Sequence, residues 1–87
     1  MSTAVVSATV IVLPTELPEQ VSADLVEHEV EAIYRAPGQY VVRSRYADVE
    51  QPFEAYMRLR DTLNEMVTTR GGLSFAIFNI NAGWEAS

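Results

Sequence analysis

The sequence contains no cysteine and no lysine. Without cysteine, the chain cannot form a disulfide scaffold, a zinc site built on thiolates or a thiol nucleophile. The missing cysteine also fits a reducing compartment, so we expect a cytoplasmic protein. The basic residues are six arginines, against 12 acidic residues, and the net charge is −6. Direct binding to nucleic acid is not expected, because attraction to phosphates requires a basic face.

Long hydrophobic runs are absent as well. The most apolar segment lies near the N-terminus, where no basic residue precedes it, and this argues against a secretory signal. It is also too short to span a bilayer, so we expect no membrane partner. The composition, with 48% hydrophobic residues, is that of a globular chain. We expect one domain, residues 1–87, with a small core.

The charges are unevenly distributed along the chain. Six acidic residues and no basic residue precede Tyr34, whereas every arginine lies between Arg35 and Arg70. An acidic pole of this kind is suited to steering the chain toward a partner with a basic surface.

Two regions have clear patterns. The segment from Ala4 to Leu13 is rich in valine and alternates with period two, which predicts a strand with one buried face. That face would consist of Ala4, Val6, Ala8, Val10 and Val12. The next segment, from Pro14 to Asp24, contains two prolines and is predicted to be a loop.

The segment from Leu25 to Arg35 matches two templates. As a helix it places apolar residues at i, i+4, i+7 and i+8, with Ser22 as a possible cap. As a strand it alternates without interruption and leads through Ala-Pro-Gly into a second alternating run, Gln39 to Tyr46. The strand, and hence a hairpin, is favoured.

The faces of this hairpin predict its register. A three-residue loop of Ala36, Pro37 and Gly38 sets Glu31 opposite Arg43 and Glu29 opposite Arg45. One face is then mostly apolar, and the other is polar and charged. The residue before a proline avoids the α region, however, and the commonest three-residue loop needs that region.

The strongest helical pattern begins between Asp48 and Pro52. Asp48 is a candidate N-cap, Glu54 and Arg58 are spaced as an i,i+4 pair, and Gly71 and Gly72 end the helix. The predicted apolar stripe is Phe53, Tyr56, Met57, Leu63, Met66 and Val67, with Leu59 and Arg60 near its edge. The final run, Leu73 to Asn81, has apolar residues on both faces and is predicted to be a covered, central strand.

The predicted fold class is therefore α+β. A mainly antiparallel sheet of about four strands, in the order β-β-β-α-β, carries one amphipathic helix on one face. If the segment from Leu25 to Arg35 is helical, the order becomes β-α-β-α-β.

The candidate chemical groups are few. His28 is the only histidine, and no second group beside it suggests catalysis or metal binding. The tyrosines are expected between sheet and helix, although they could line a pocket. The Arg-Gly-Gly segment at 70–72 follows a helix, whereas a phosphate loop precedes one. We expect no catalytic residue, metal or cofactor.

The stretch YVVRSRYADVEQPFEAYMRLRDTL, residues 40–63, is a hairpin strand that leads directly into a helix. Together with small size and acidity, it resembles the small phage-encoded inhibitor proteins, anti-CRISPRs among them. The β-β-β-α-β order is also similar to the partial RNase-H-like domain of HicB-type antitoxins. Both resemblances imply a non-enzymatic protein that acts by binding another protein.

The expected function is therefore inhibition of a partner protein with a basic surface, such as a nucleic-acid-handling complex. Its contact surface would be the polar sheet face and the acidic loop: Glu16, Glu19, Asp24, Glu27, Glu29, Glu31, Arg43 and Arg45. A structural or assembly protein, such as a phage particle component or a homodimer paired through its edge strands, is the alternative. A small dimeric enzyme with a Tyr/His/Arg pocket is a third possibility.

Overall fold

The computed structural model describes residues 3–13, 19–70 and 74–85. The strands are β1 (Ala4–Leu13), β2 (Glu31–Ala36), β3 (Gln39–Tyr46) and β4 (Ser74–Trp84), and the helices are α1 (Glu19–Glu27) and α2 (Pro52–Arg70). The predicted α+β class with a four-stranded antiparallel sheet is confirmed. The element order is β-α-β-β-α-β, with one helix more than the favoured prediction.

The sheet has the strand order β2-β3-β1-β4, and all neighbours are antiparallel. Each helix connects two parallel strands that are separated by a third strand. This is the double split β-α-β connectivity of ferredoxin-like domains. It places β1 and β3 in the centre, and β2 and β4 at the edges.

The core lies between one face of the sheet and both helices. The β1 residues predicted to face inward are each at most 3% exposed, which confirms the period-two prediction. Val21 and Leu25 of α1 pack with them, as do Leu59 and Leu63 of α2. Both helices therefore cover the same face of the sheet and leave the other face open.

The segment from Leu25 to Arg35, which matches both a helix and a strand in sequence, is helical at its start and a strand at its end. It is helical through Glu27 and becomes a strand only at Glu31, so the prediction of one continuous strand was wrong. The predicted loop likewise proves helical from Glu19 onward, while residues 14–18 lie outside the described residues.

A Schellman-type end to α1 separates the two halves. The amide of Val30 donates to the carbonyl oxygen of Leu25 at 2.8 Å, and the amide of Glu29 donates to that of Val26 at 3.0 Å. Glu29 has a φ of 60°, the left-handed conformation that this motif requires. The predicted pairing of Glu29 with Arg45 in a hairpin is therefore wrong.

The β2–β3 hairpin has the predicted register over most of its length. Glu31 lies opposite Arg43 and Tyr34 opposite Tyr40. The connection, however, is the two-residue turn Pro37–Gly38, and the register shifts at Arg35 instead. Ala36 thus stays extended, as a residue before proline prefers, and the extra residue becomes a bulge.

Helix α2 begins at Pro52, and Asp48 is not its N-cap. The amide of Glu50 donates to Glu54 Oε2 at 3.0 Å, and Arg58 Nη1 donates to both carboxylate oxygens of Asp48 at 2.7 Å. The predicted Glu54–Arg58 ion pair is replaced by these two contacts.

The buried stripe of α2 is also rotated from its predicted position. Leu59, placed near the edge of the stripe, is 0% exposed, whereas Phe53 is 61% exposed. Among the α2 side chains that the structure describes, the buried ones are Ala55, Leu59, Leu63 and Met66. The glycines expected to end the helix, at 71 and 72, lie outside the described residues.

Strand β4 lies at an edge of the sheet, so the prediction of a central position was wrong. Its pairing with β1 is interrupted where Asn79 and Ile80 together oppose Ala8, and Asn79 has a φ of 54°. This is a β-bulge, and asparagine is among the residues that tolerate the left-handed conformation there.

Candidate functional site

The open face of the sheet is the candidate site, because neither helix covers it. The alternation of each strand decides which side chains lie on it. The registers of the three strand pairs align these side chains into rows that cross the sheet. Two neighbouring rows differ sharply in chemistry.

The first row, which we call the apolar row, contains a residue from each strand. It consists of Ile33 on β2, Val41 on β3, Thr9 on β1 and Phe78 on β4. Ile33 and Phe78, at its two ends, are 42% and 37% exposed. Apart from the Thr9 hydroxyl, the row is apolar, and an apolar strip that neither helix covers is typical of contact surfaces.

The second row, which we call the polar row, lies beside it. It consists of Glu31, Arg43, Ser7 and Asn81 in the same strand order. The side chains of Glu31, Arg43 and Asn81 are exposed. The open face therefore carries an apolar row beside a polar row, rather than being polar and charged throughout as predicted.

The arginines of β3 differ in their partners. Arg45 Nε donates to Glu85 Oε1 at 2.9 Å, so its charge is compensated by the residue that follows β4. Arg43 forms no ion pair with any described residue, although Glu31 lies opposite it in the register. The Arg43 guanidinium thus keeps its donors available on an exposed surface.

A shallow depression adjoins the polar row. Glu29, Glu31, Arg43, Ser44 and Arg45 line it, which brings together four of the predicted contact residues. Ser44 Oγ donates to the carbonyl oxygen of Glu29 at 3.4 Å and so links the end of α1 to β3. The mixed charges of this depression suit hydrogen bonds and ion pairs with a polar partner surface.

The remaining predicted contact residues lie elsewhere. Glu19, Asp24 and Glu27 belong to α1, on the covered side of the sheet, and Gln20 Nε2 donates to Asp24 Oδ1 at 3.4 Å. Glu16 lies outside the described residues. The acidic residues therefore do not form one continuous surface with the polar row.

His28 is exposed in the turn after α1, where it borders a depression together with Asp24, Thr62 and Glu65. Within residues 3–13, 19–70 and 74–85, no group of three or more histidine and acidic residues is placed to hold a metal ion.

The tyrosines mostly pack against the core. Tyr40, Tyr46 and Tyr56 are partly buried there, and Tyr34, 60% exposed at the β2 edge, makes an edge-to-face contact with Tyr40. A cavity of about 30 Å³ between the helices and the sheet is lined by apolar side chains and tyrosine. That volume accommodates roughly one water-sized group.

The apolar row was missed by sequence reasoning, but it had left a signal. Ile33 was an apolar residue among glutamates on the face predicted to be charged, and the final strand was apolar on both faces. Only the register, which aligns Ile33 with Val41, Thr9 and Phe78, shows that these isolated positions form one strip.

The comparisons identify no relative: no family model, no curated protein and no solved structure matches the chain. Among the described helices, neither is long and apolar enough to cross a membrane. The open face is therefore the basis for assigning a function, since a shared fold topology does not imply a shared function.

Proposed function

We propose that this chain is a non-enzymatic binding module that inhibits a partner protein by covering part of its surface with the open face of the sheet. The observation that carries the proposal is the apolar row beside exposed charges on a face that neither helix covers. Protein contacts combine an apolar centre with a polar rim in this way.

The charge of the module favours a partner with a basic surface. With a net charge of −6, the chain attracts basic proteins over a distance of about 10 Å at moderate salt. Glu29 and Glu31 lie at the rim of the open face, where they can approach basic side chains of the partner. A nucleic-acid-handling complex, such as a CRISPR effector, has such a surface, and the resemblance to phage-encoded inhibitors supports this class.

The first experiment is a pull-down from host lysate with the tagged chain, at about 0.1 M and about 0.5 M salt, which bracket weak and strong screening. We expect one stoichiometric partner at low salt and a large loss of it at high salt. An assay of the recovered partner's own activity, with and without the chain, then tests inhibition.

Matched variants locate the contact. Val41→Glu introduces a charge into the apolar row, and Val26→Glu introduces the same charge at a valine of α1 that is 75% exposed. We expect the first variant to abolish capture and the second to retain it, with both folded by circular dichroism. Equal capture by both would contradict a contact through the open face.

The acidic residues are tested in the same way. The double variant Glu29→Arg, Glu31→Arg should lose the partner, whereas Glu19→Arg, Glu27→Arg on α1 should retain it. If only the α1 variant loses the partner, the contact surface is the acidic helix and the sheet-face proposal is wrong.

A further inference from the structure

We propose that strand β4 pairs with β4 of a second copy of this chain, which joins two sheets into one of eight strands. This inference concerns the edge of the sheet and does not depend on the proposed inhibitory function. It rests on the contrast between the two edge strands, the net charge of the chain and the position of the bulge in β4.

Strand β4 has the composition of an unprotected edge strand. It is 11 residues long, and its sequence SFAIFNINAGW contains neither a charged residue nor a proline. In the half of the strand before the bulge, Phe78 is 37% exposed, and Phe75 and Ile77 are only partly buried. Long, uncharged, apolar edge strands present free backbone donors and acceptors to another strand, and soluble proteins usually protect them.

The other edge shows what such protection looks like. Strand β2 has only six residues, it carries Glu31 and Arg35, and Pro37 follows its last residue. Short length, charge and proline are the usual means of blocking edge-to-edge pairing. The β2 edge thus carries all three features, whereas β4 has neither charge nor proline and its bulge begins only at Asn79.

The net charge of the chain also favours a contact through β4. Two copies with a net charge of −6 each repel, so contact is favoured where neither copy presents a charge. The first acidic residue after β4, Glu85, is already bound to Arg45 at 2.9 Å. Pairing along β4 therefore brings no uncompensated like charges into opposition.

The bulge sets the register. Asn79 and Ile80 interrupt the regular strand, so the uninterrupted half is Ser74 to Phe78, with Ala76 at its midpoint. In an antiparallel pair about a two-fold axis, Ala76 opposes Ala76 of the second copy. Phe75 of each copy then opposes Ile77 of the other.

This register also completes the core. Phe75 and Ile77 lie on the helix-covered face and are only partly buried, because β4 is the last strand on that side. A second β4 would cover the exposed sides of both. The two-fold axis is perpendicular to the sheet, so both open faces lie on the same side and form one continuous surface.

Light scattering on the purified chain tests the proposal. We expect a dimer for the natural sequence and a monomer for Ala76→Lys, which opposes two ammonium groups at the axis. Ala32→Lys is the matched control, because Ala32 is also an exposed alanine on an edge strand, and it should remain a dimer. Circular dichroism establishes that each variant is folded.

Cross-linking tests the register, since a chain without cysteine allows single-cysteine variants. Ala76→Cys should form a disulfide-linked dimer under mild oxidation, because directly opposed residues have Cβ atoms about 5 Å apart. Ala32→Cys should remain monomeric on a denaturing gel. A natural chain that is monomeric at every concentration, or a dimer that Ala76→Lys leaves intact, would overturn the proposal.

Discussion

The amide of Val30 donates to the carbonyl oxygen of Leu25 at 2.8 Å, and both side chains are 3% exposed. The hydrogen bond and the apolar contact together end helix α1 and direct the chain into β2. The residue that makes this reversal possible is Glu29, whose φ is 60°. Glycine normally occupies that position, because a Cβ atom is unfavourable in the left-handed conformation.

Replacing Glu29 with glycine should therefore stabilise the fold. We expect Glu29→Gly to raise the free energy of unfolding by about 0.5–1 kcal/mol, measured by urea denaturation. The control is Ala23→Gly, an exposed position inside α1, which should lower it by about 0.5–1 kcal/mol. A lower urea midpoint for Glu29→Gly would show that the Glu29 side chain stabilises the fold by more than its left-handed backbone conformation costs.

Gly38 is the second position that depends on a positive φ. It follows Pro37 in the β2–β3 turn with a φ of 76°, as the third residue of a type II turn requires. We expect Gly38→Ala to lower the free energy of unfolding by about 1 kcal/mol or more. In thermal denaturation, Gly83→Ala should change little, because a Cβ atom built there meets nothing within 4 Å. Equal effects of the two substitutions would contradict the turn assignment.

The orientation of α2 distinguishes two residues that look alike in sequence. Leu59→Ala should lower the free energy of unfolding by about 2–5 kcal/mol, because it empties a fully buried site. Phe53→Ala should lower it by less than about 1 kcal/mol, because Phe53 is mostly exposed. We expect this small effect even though the substitution removes a larger side chain, whose ring centroid lies 5.7 Å from that of Tyr56. Chemical denaturation measures the free energy of unfolding of both variants. A larger loss for Phe53→Ala than for Leu59→Ala would mean that α2 turns a different face to the core.

The ion pair between Asp48 and Arg58 makes the stability of the fold depend on pH. Because Arg58 donates to both carboxylate oxygens, the pKa of Asp48 lies below its ordinary value of 3.8. A lowered pKa in the folded state stabilises the fold above the pKa of the unfolded chain, and this contribution is lost as the pH falls through the folded value. The effect is small, since both groups are exposed.

Asp48→Asn should therefore be less stable than the natural chain at neutral pH and equally stable in strong acid. Thermal midpoints measured across the acidic range check this. The control, Asp61→Asn, removes a longer contact of 3.8 Å with Arg60 and should have a smaller effect at neutral pH. A stability difference for Asp48→Asn that persists unchanged in strong acid would exclude the ion pair as its cause.

The sequence predicted much of the sheet, because strand patterns are local. The alternation from Ala4 to Val12 identified the buried face of β1, and the pattern around Pro37 and Gly38 located the hairpin and most of its register. The sequence did not reveal where the segment from Leu25 to Arg35 changes from helix to strand. The helix ends at a residue in the left-handed conformation, and that residue is Glu29 instead of the usual glycine. No glycine marked the boundary between helix and strand.

The candidate site was predicted only in part. Glu31, Arg43 and Arg45 lie on or beside the open face as expected, but Glu27 belongs to a helix on the other side of the sheet. The apolar row could not be predicted, since its four residues are distant in sequence and come together only through three strand pairings. The partner of Arg45 was missed for the same reason, because Glu85 is 40 positions away.

The sequence by itself determined which segments alternate between apolar and polar side chains and where the hairpin turns. It also determined that arginine carries the positive charges of the chain. These properties depend on backbone preferences and side-chain periodicity within a few residues. The tertiary structure alone decided that β4 is an edge, that one sheet face is open, and that Leu59 rather than Phe53 faces the core. Those outcomes depend on which strands pair and where the helices pack, and such long-range contacts are selected by the burial of the whole chain.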